Sequence, residues 1–90
     1  MKKAEANNLK DIIKKAYPRR RYTAIYSSIK EELRVWVYYY GEEKPYDKKE
    51  ENNAITYLLN SIADNGIRPK YRIERKKDQG TNRHTYICFR

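Results

Sequence analysis

From Lys3 to Ala16 apolar positions recur with a helical period. Leu9, Ile12, Ile13 and Ala16 occupy i, i+3, i+4 and i+7, so this segment is expected to be an amphipathic helix with one buried stripe. Lys10, Lys14 and Lys15 lie on or beside its solvated face. Pro18 ends it, because the residue before a proline is pushed out of the helical region. A second stripe consists of Ala54, Ile55, Leu58, Leu59 and Ile62. It follows Asp47-Lys48-Lys49-Glu50, the spacing of a capping box in which Asp47 accepts the Glu50 N–H. Glu50 and Glu51 suit the positive first turn of the helix dipole. Gly66 suits the left-handed position past the last turn, with Ile67 as the hydrophobic residue after it.

Elsewhere the period is two. Leu33-Arg34-Val35-Trp36-Val37-Tyr38-Tyr39-Tyr40 is the longest apolar run, and its β-branched and aromatic residues suit a half-buried strand. Alternation sets Leu33, Val35, Val37 and Tyr39 on one face and Arg34, Trp36, Tyr38 and Tyr40 on the other. Tyr22–Ser27 also alternates, and the polar stretch from Ser28 to Glu32 reads as a hairpin connection. With Ile25 toward the core, Tyr22 and Tyr26 join the Trp36 face; a slip of one residue exchanges the two sides. Gly41 to Tyr46 reads as a loop. Arg68 to Arg75 is strand-like, with Pro69 at its start. It sets Tyr71 and Ile73 against Lys70, Arg72 and Glu74. Lys76 to Asn82 forms a polar loop around Gly80, and Arg83–Arg90 sets Thr85, Ile87 and Phe89 against His84, Tyr86 and Cys88.

The order α-β-β-α-β-β predicts an α+β, two-layer sandwich, residues 1–90 being one small basic domain. Two hairpins make a four-stranded antiparallel sheet, and both helices cover one of its faces. The expected core is Leu9, Ile12, Ile13, Ile25, Leu33, Val35, Val37, Ile55, Leu58, Leu59, Ile62, Ile73, Ile87 and Phe89. Asn7-Asn8 and Asn52-Asn53 precede the two apolar stripes, and each half carries a proline beside basic and aromatic residues. Shared secondary-structure grammar explains that likeness as well as an internal repeat does.

Charge sharpens the picture. The net charge is +9 and the pI about 9.7, with 37% charged residues, which favours a polyanionic partner. No apolar run approaches a membrane span, and the first residues lack a signal-peptide core, so an intracellular, cytoplasmic protein without a membrane partner is expected. A lone cysteine, Cys88, cannot form an internal disulfide and agrees with a reducing compartment. One histidine and one cysteine cannot build a metal site, and four strand positions, about 13 Å, separate them. The paired acids Glu31-Glu32, Glu42-Glu43 and Glu50-Glu51 read as solubilising or capping groups. No catalytic residue, cofactor or metal is expected.

The expected surface is the uncovered sheet face, with Arg34, Trp36, Tyr38, Tyr40, Lys70, Arg72, His84 and Tyr86. Arg19, Arg20 and Arg21 add a phosphate clamp, since guanidinium forks match phosphate oxygens. Rings under unstacked bases and cations along phosphates are how single strands are held. The leading expectation is therefore a non-catalytic domain for single-stranded or structured RNA or DNA. The alternative is a protein-binding module, because Tyr, Trp and Arg also dominate interface hot spots. A virus- or mobile-element-encoded inhibitor docking on an acidic or nucleic-acid-handling protein, or a homodimer, would use the same patch.

Overall fold

The computed structural model describes residues 1–18, 22–77 and 83–90. Helix α1 (Lys3–Ala16) is followed by β1 (Thr23–Ser27), β2 (Glu32–Tyr40), α2 (Lys48–Ala63), β3 (Tyr71–Lys77) and β4 (Arg83–Phe89). The order is the one expected, with β3 running on to Lys77. The four strands form one antiparallel sheet in the order β1-β2-β4-β3. The C-terminal strand β4 is thus internal, joining its own hairpin to the β1–β2 hairpin.

Leu33 lies opposite Phe89 and Val35 opposite Ile87, so these four side chains share a face. They are fully buried and form one cluster with Ala6, Leu9, Ile12, Ile13 and Tyr17 from α1 and its end, and Ile55, Leu58 and Ile62 from α2. Both amphipathic stripes therefore serve the same core. Each fully buried Leu, Ile or Phe contributes about 1.5–3 kcal/mol. Two tyrosines tie the helices: the Tyr17 hydroxyl donates to Ala54 O at 3.3 Å, and the Tyr57 hydroxyl to Ala16 O at 2.8 Å. Their rings meet edge to face at 5.0 Å.

Punctuation behaves as the residue types dictate. Asp47 Oδ1 accepts from Lys49 N at 2.9 Å and from Glu50 N at 3.3 Å. Gly66 has φ +76°, where a side chain would be strained, and Ile67 packs on the core. Among the described residues no helix is long and apolar enough to cross a membrane.

The faces of β1 are reversed from expectation. Ser27 pairs with Glu32, which places Tyr26 opposite Leu33 and Ala24 opposite Val35. Tyr22, Ala24 and Tyr26 therefore pack against the core, and Ile25, opposite Arg34, is 53% exposed. The cause is the length of the connection, which fixes which residues meet and thus which parity faces inward. Ile73 also departs from the expected core: on the outer strand β3 it is 38% exposed. Val37 and Leu59 pack at the margin of the core.

A second departure lies within β2. Trp36 pairs with Tyr86 and Tyr38 with Thr85, so Val37 is an extra residue, a β-bulge. Beyond it the alternation inverts. Tyr38 and Tyr40 share the face of Thr85, while Tyr39, opposite His84, joins the face of Trp36.

Candidate nucleic-acid interface

The sheet face opposite the core reads as rows crossing the strands. One row is Ile25, Arg34, Cys88 and Arg72; the next is Thr23, Trp36, Tyr86 and Glu74. Tyr39 continues the surface, donating from its hydroxyl to Thr23 Oγ1 at 2.9 Å. Below the first row lies Glu32, opposite Ser27.

These rows hold a charge network. Glu32 is 1% exposed, although it sits beside the hairpin turn. Its Oε1 lies 3.0 Å from Arg34 Nε and 2.9 Å from the second guanidinium nitrogen. Oε2 accepts from the buried Cys88 thiol at 3.1 Å, with Arg72 and Arg90 each 3.6 Å away. The thiol hydrogen bond, opposed by burial and reinforced by Arg34 and Arg72, lowers the Glu32 pKa to about 2. Burial and the carboxylate push the Cys88 thiol up, so it stays protonated. Arg72 Nε donates to Glu74 Oε1 at 2.6 Å, and Tyr86 donates to Glu74 Oε2 at 3.1 Å. Burial, then that hydrogen bond, raises the Tyr86 pKa.

Rings and cations are interleaved here. Arg34 lies 5.4 Å from the Tyr86 ring centroid, and Trp36 lies 5.0 Å from Tyr86 at a tilt of 39°. Tyr86 is only 3% exposed, so its ring supports Arg34 and Trp36 from beneath and offers no open platform. Trp36, Tyr39 and Arg34 are half-buried, and Ile25 is exposed beside Arg34.

Of the expected site, Arg34, Trp36, Arg72 and Tyr86 come together, with Lys70 at the near end of β3. Tyr38 and Tyr40 do not. The bulge at Val37 carries them across, where Tyr38 is 3% exposed and its hydroxyl meets Asp47 at the start of α2. Tyr40 packs at 5.0 Å on Tyr46 and at 5.7 Å on Tyr38. Tyr22 and Tyr26 belong to the core side. Arg19, Arg20 and Arg21 lie outside the described residues, as does the expected loop from Lys76 to Asn82 apart from Lys76 and Lys77, which belong to β3. Of His84 the structure describes only the strand position.

Four residues escaped the sequence reading: Glu32, Glu51, Tyr39 and Ile25. Glu32 and Glu51 are buried, not solubilising. The Glu51 carboxylate accepts from Thr85 at 2.6 Å, Arg75 at 2.7 Å and Tyr46 at 2.9 Å, which fastens the first turn of α2 to the sheet. Glu32 had one available signal, since it shares the parity of Arg34 and Trp36. Glu51 had none: Arg75 and Thr85, the partners that tie it to the sheet, lie 24 and 34 residues away.

Among the described residues no cluster of His, Cys, Asp and Glu is arranged to hold a metal ion. No protein-family model, curated protein or solved structure matches this chain.

Proposed function

We propose that this chain is a non-catalytic domain that binds single-stranded or structured nucleic acid across the sheet face opposite its core. The observation that carries this reading is Trp36 and Tyr39 on one surface with Arg34 and Arg72, in a chain of net charge +9. Base stacking on such rings contributes about 1–3 kcal/mol per base and is tolerant of sequence. Arg34 supplies a cation beside the rings, held rigid by Glu32 and seated over Tyr86. An intracellular setting accords with a chain whose one cysteine, Cys88, is buried.

The test is fluorescence of Trp36, the only tryptophan, titrated with short single strands and a duplex at 50 and 200 mM salt. The expected result is quenching, with affinity falling on the order of 10²-fold between the two salts for about four phosphate contacts. A folded protein whose fluorescence answers to no nucleic acid refutes the reading.

One observation favours a protein partner on the same face. Ile25 on this face is 53% exposed, and Ile29 in the turn that joins β1 to β2 is 95% exposed. Branched aliphatic side chains offer bases no ring to stack on, but they do fill apolar interfaces. Failure of the nucleic-acid titration hands the face to this second reading.

A further inference from the structure

Arg72 and Arg90 converge on one point. Each guanidinium lies 3.6 Å from the same oxygen, Glu32 Oε2. That separation exceeds a hydrogen bond, so neither contact consumes an N–H donor. Glu32 is already satisfied at closer range by Arg34 and the Cys88 thiol. Its remaining role is to hold two cations side by side. Their side chains are 37% and 63% exposed, so both reach solvent.

This pair lines two clefts. One, of about 460 Å³, is lined by Met1, Lys30, Glu31 and Glu32 together with Arg72 and Arg90. The other, of about 170 Å³, is lined by Lys70, Tyr71 and Cys88 with the same two arginines. The side chains around the corner thus include four cations, Lys30, Lys70, Arg72 and Arg90, and three carboxylates, Glu31, Glu32 and Glu74. Glu74 accepts from Arg72 Nε at 2.6 Å and leaves the terminal nitrogens of that guanidinium to face the clefts. One of those carboxylates, Glu32, is neutralised by Arg34. The backbone fixes the pair as well, since Arg90 N donates to Lys70 O at 3.0 Å. Two guanidinium forks flanked by lysines suit the oxygens of a phosphate group.

We infer that the Arg72–Arg90 corner, with Lys30 and Lys70, is a phosphate-binding site. The inference deepens the nucleic-acid reading and rests on it for its ligand: the site takes one phosphate of a strand whose bases lie against Trp36 and Tyr39. Arg90 is four residues beyond Tyr86, about 13 Å along the strand, a span that a few nucleotides cover.

The site is tested on the full chain by following the Nε–Hε resonances of Arg72 and Arg90 by NMR. Inorganic phosphate is titrated in, with chloride at matched ionic strength as control. Saturable shifts with phosphate alone, reduced at least fivefold in apparent affinity by Arg90→Gln or by Lys30→Gln with Lys70→Gln, support the site. The same small drift in both salts overturns it. Arg90→Gln is then compared with the parent in oligonucleotide binding, where the expected result is a salt slope smaller by about 0.7, one single-strand phosphate contact. An unchanged slope with tight binding overturns the site and leaves the nucleic-acid reading standing. Phosphate-specific shifts in a protein that binds no oligonucleotide support the site and refute that reading.

Discussion

Tyr38 and Asp47 are bonded in both directions: the Tyr38 hydroxyl donates to Asp47 O at 3.0 Å and accepts from Asp47 N at 2.8 Å. The ring thereby does what the Glu50 carboxylate would do in a full capping box, and Glu50 instead lies 3.5 Å from Lys44. A side chain that reads as an exposed stacking platform is the bolt that holds α2 to β2.

Tyr38→Phe is therefore expected to lower stability by about 1–2 kcal/mol, through loss of two partly buried hydrogen bonds. Tyr38→Ala should cost about 3–5 kcal/mol by adding a cavity. Urea unfolding measures both. Oligonucleotide affinity of Tyr38→Phe should match the parent; weakened binding at unchanged stability would return Tyr38 to the binding surface.

Glu51→Ala should destabilise by about 2–3 kcal/mol, read from thermal or urea unfolding. It strands the buried Thr85 hydroxyl, whereas Arg75, 53% exposed, can turn to water and limits the loss. A variant as stable as the parent would show that this network is dispensable.

Acid should weaken the fold through Glu32. Its carboxyl sits at about 2 in the folded chain against an ordinary 4.5. A depressed value stabilises the fold fully above the ordinary pKa and loses that contribution as pH falls from about 4.5 through about 2. Glu51 acts in the same direction: burial raises its pKa, but hydrogen bonds from Arg75, Thr85 and Tyr46 outweigh it and the net shift is downward. Unfolding midpoints at pH 7, 4 and 2.5 should decline in the parent and decline less in Glu32→Gln. Parallel declines would place the acid sensitivity elsewhere. Cys88→Ala removes the thiol donor and should raise the Glu32 pKa in a carboxyl NMR titration.

On the proposed binding face, Trp36→Ala should cost about 1–3 kcal/mol of oligonucleotide affinity, roughly 5- to 150-fold. Tyr40→Ala, whose ring packs on Tyr46 across the sheet, should leave binding unchanged. Fluorescence anisotropy with a labelled strand compares the two. Equal effects from both would mean that the bound strand does not lie where Trp36 and Tyr39 meet.

Much of this protein was legible in local pattern. The α1 and α2 stripes, the stop at Pro18, the Asp47 cap and the left-handed Gly66 each depend on residues within a few positions of one another. The same holds for the placement of Leu33, Val35, Ile87 and Phe89 on one face. Two details of pairing escaped. A run of three tyrosines after Val37 carries no mark of which one changes face, because a bulge is decided by the partner strand. In β1, Ile25 and its tyrosine neighbours fit either parity until the connection to β2 sets the register.

By itself, then, the sequence determined the elements, their order and most of the aliphatic core, Ile25 and Ile73 excepted, because helix and strand periods are local properties and apolar burial follows them. Only the tertiary structure decided which tyrosines face outward and which carboxylates are buried. Those outcomes depend on register across the sheet and on charged partners such as Arg34 and Arg75, brought close by strands and helices distant along the chain. The sheet face proposed to bind nucleic acid thus came out smaller in aromatic rings and richer in fixed charge than its alternation implied.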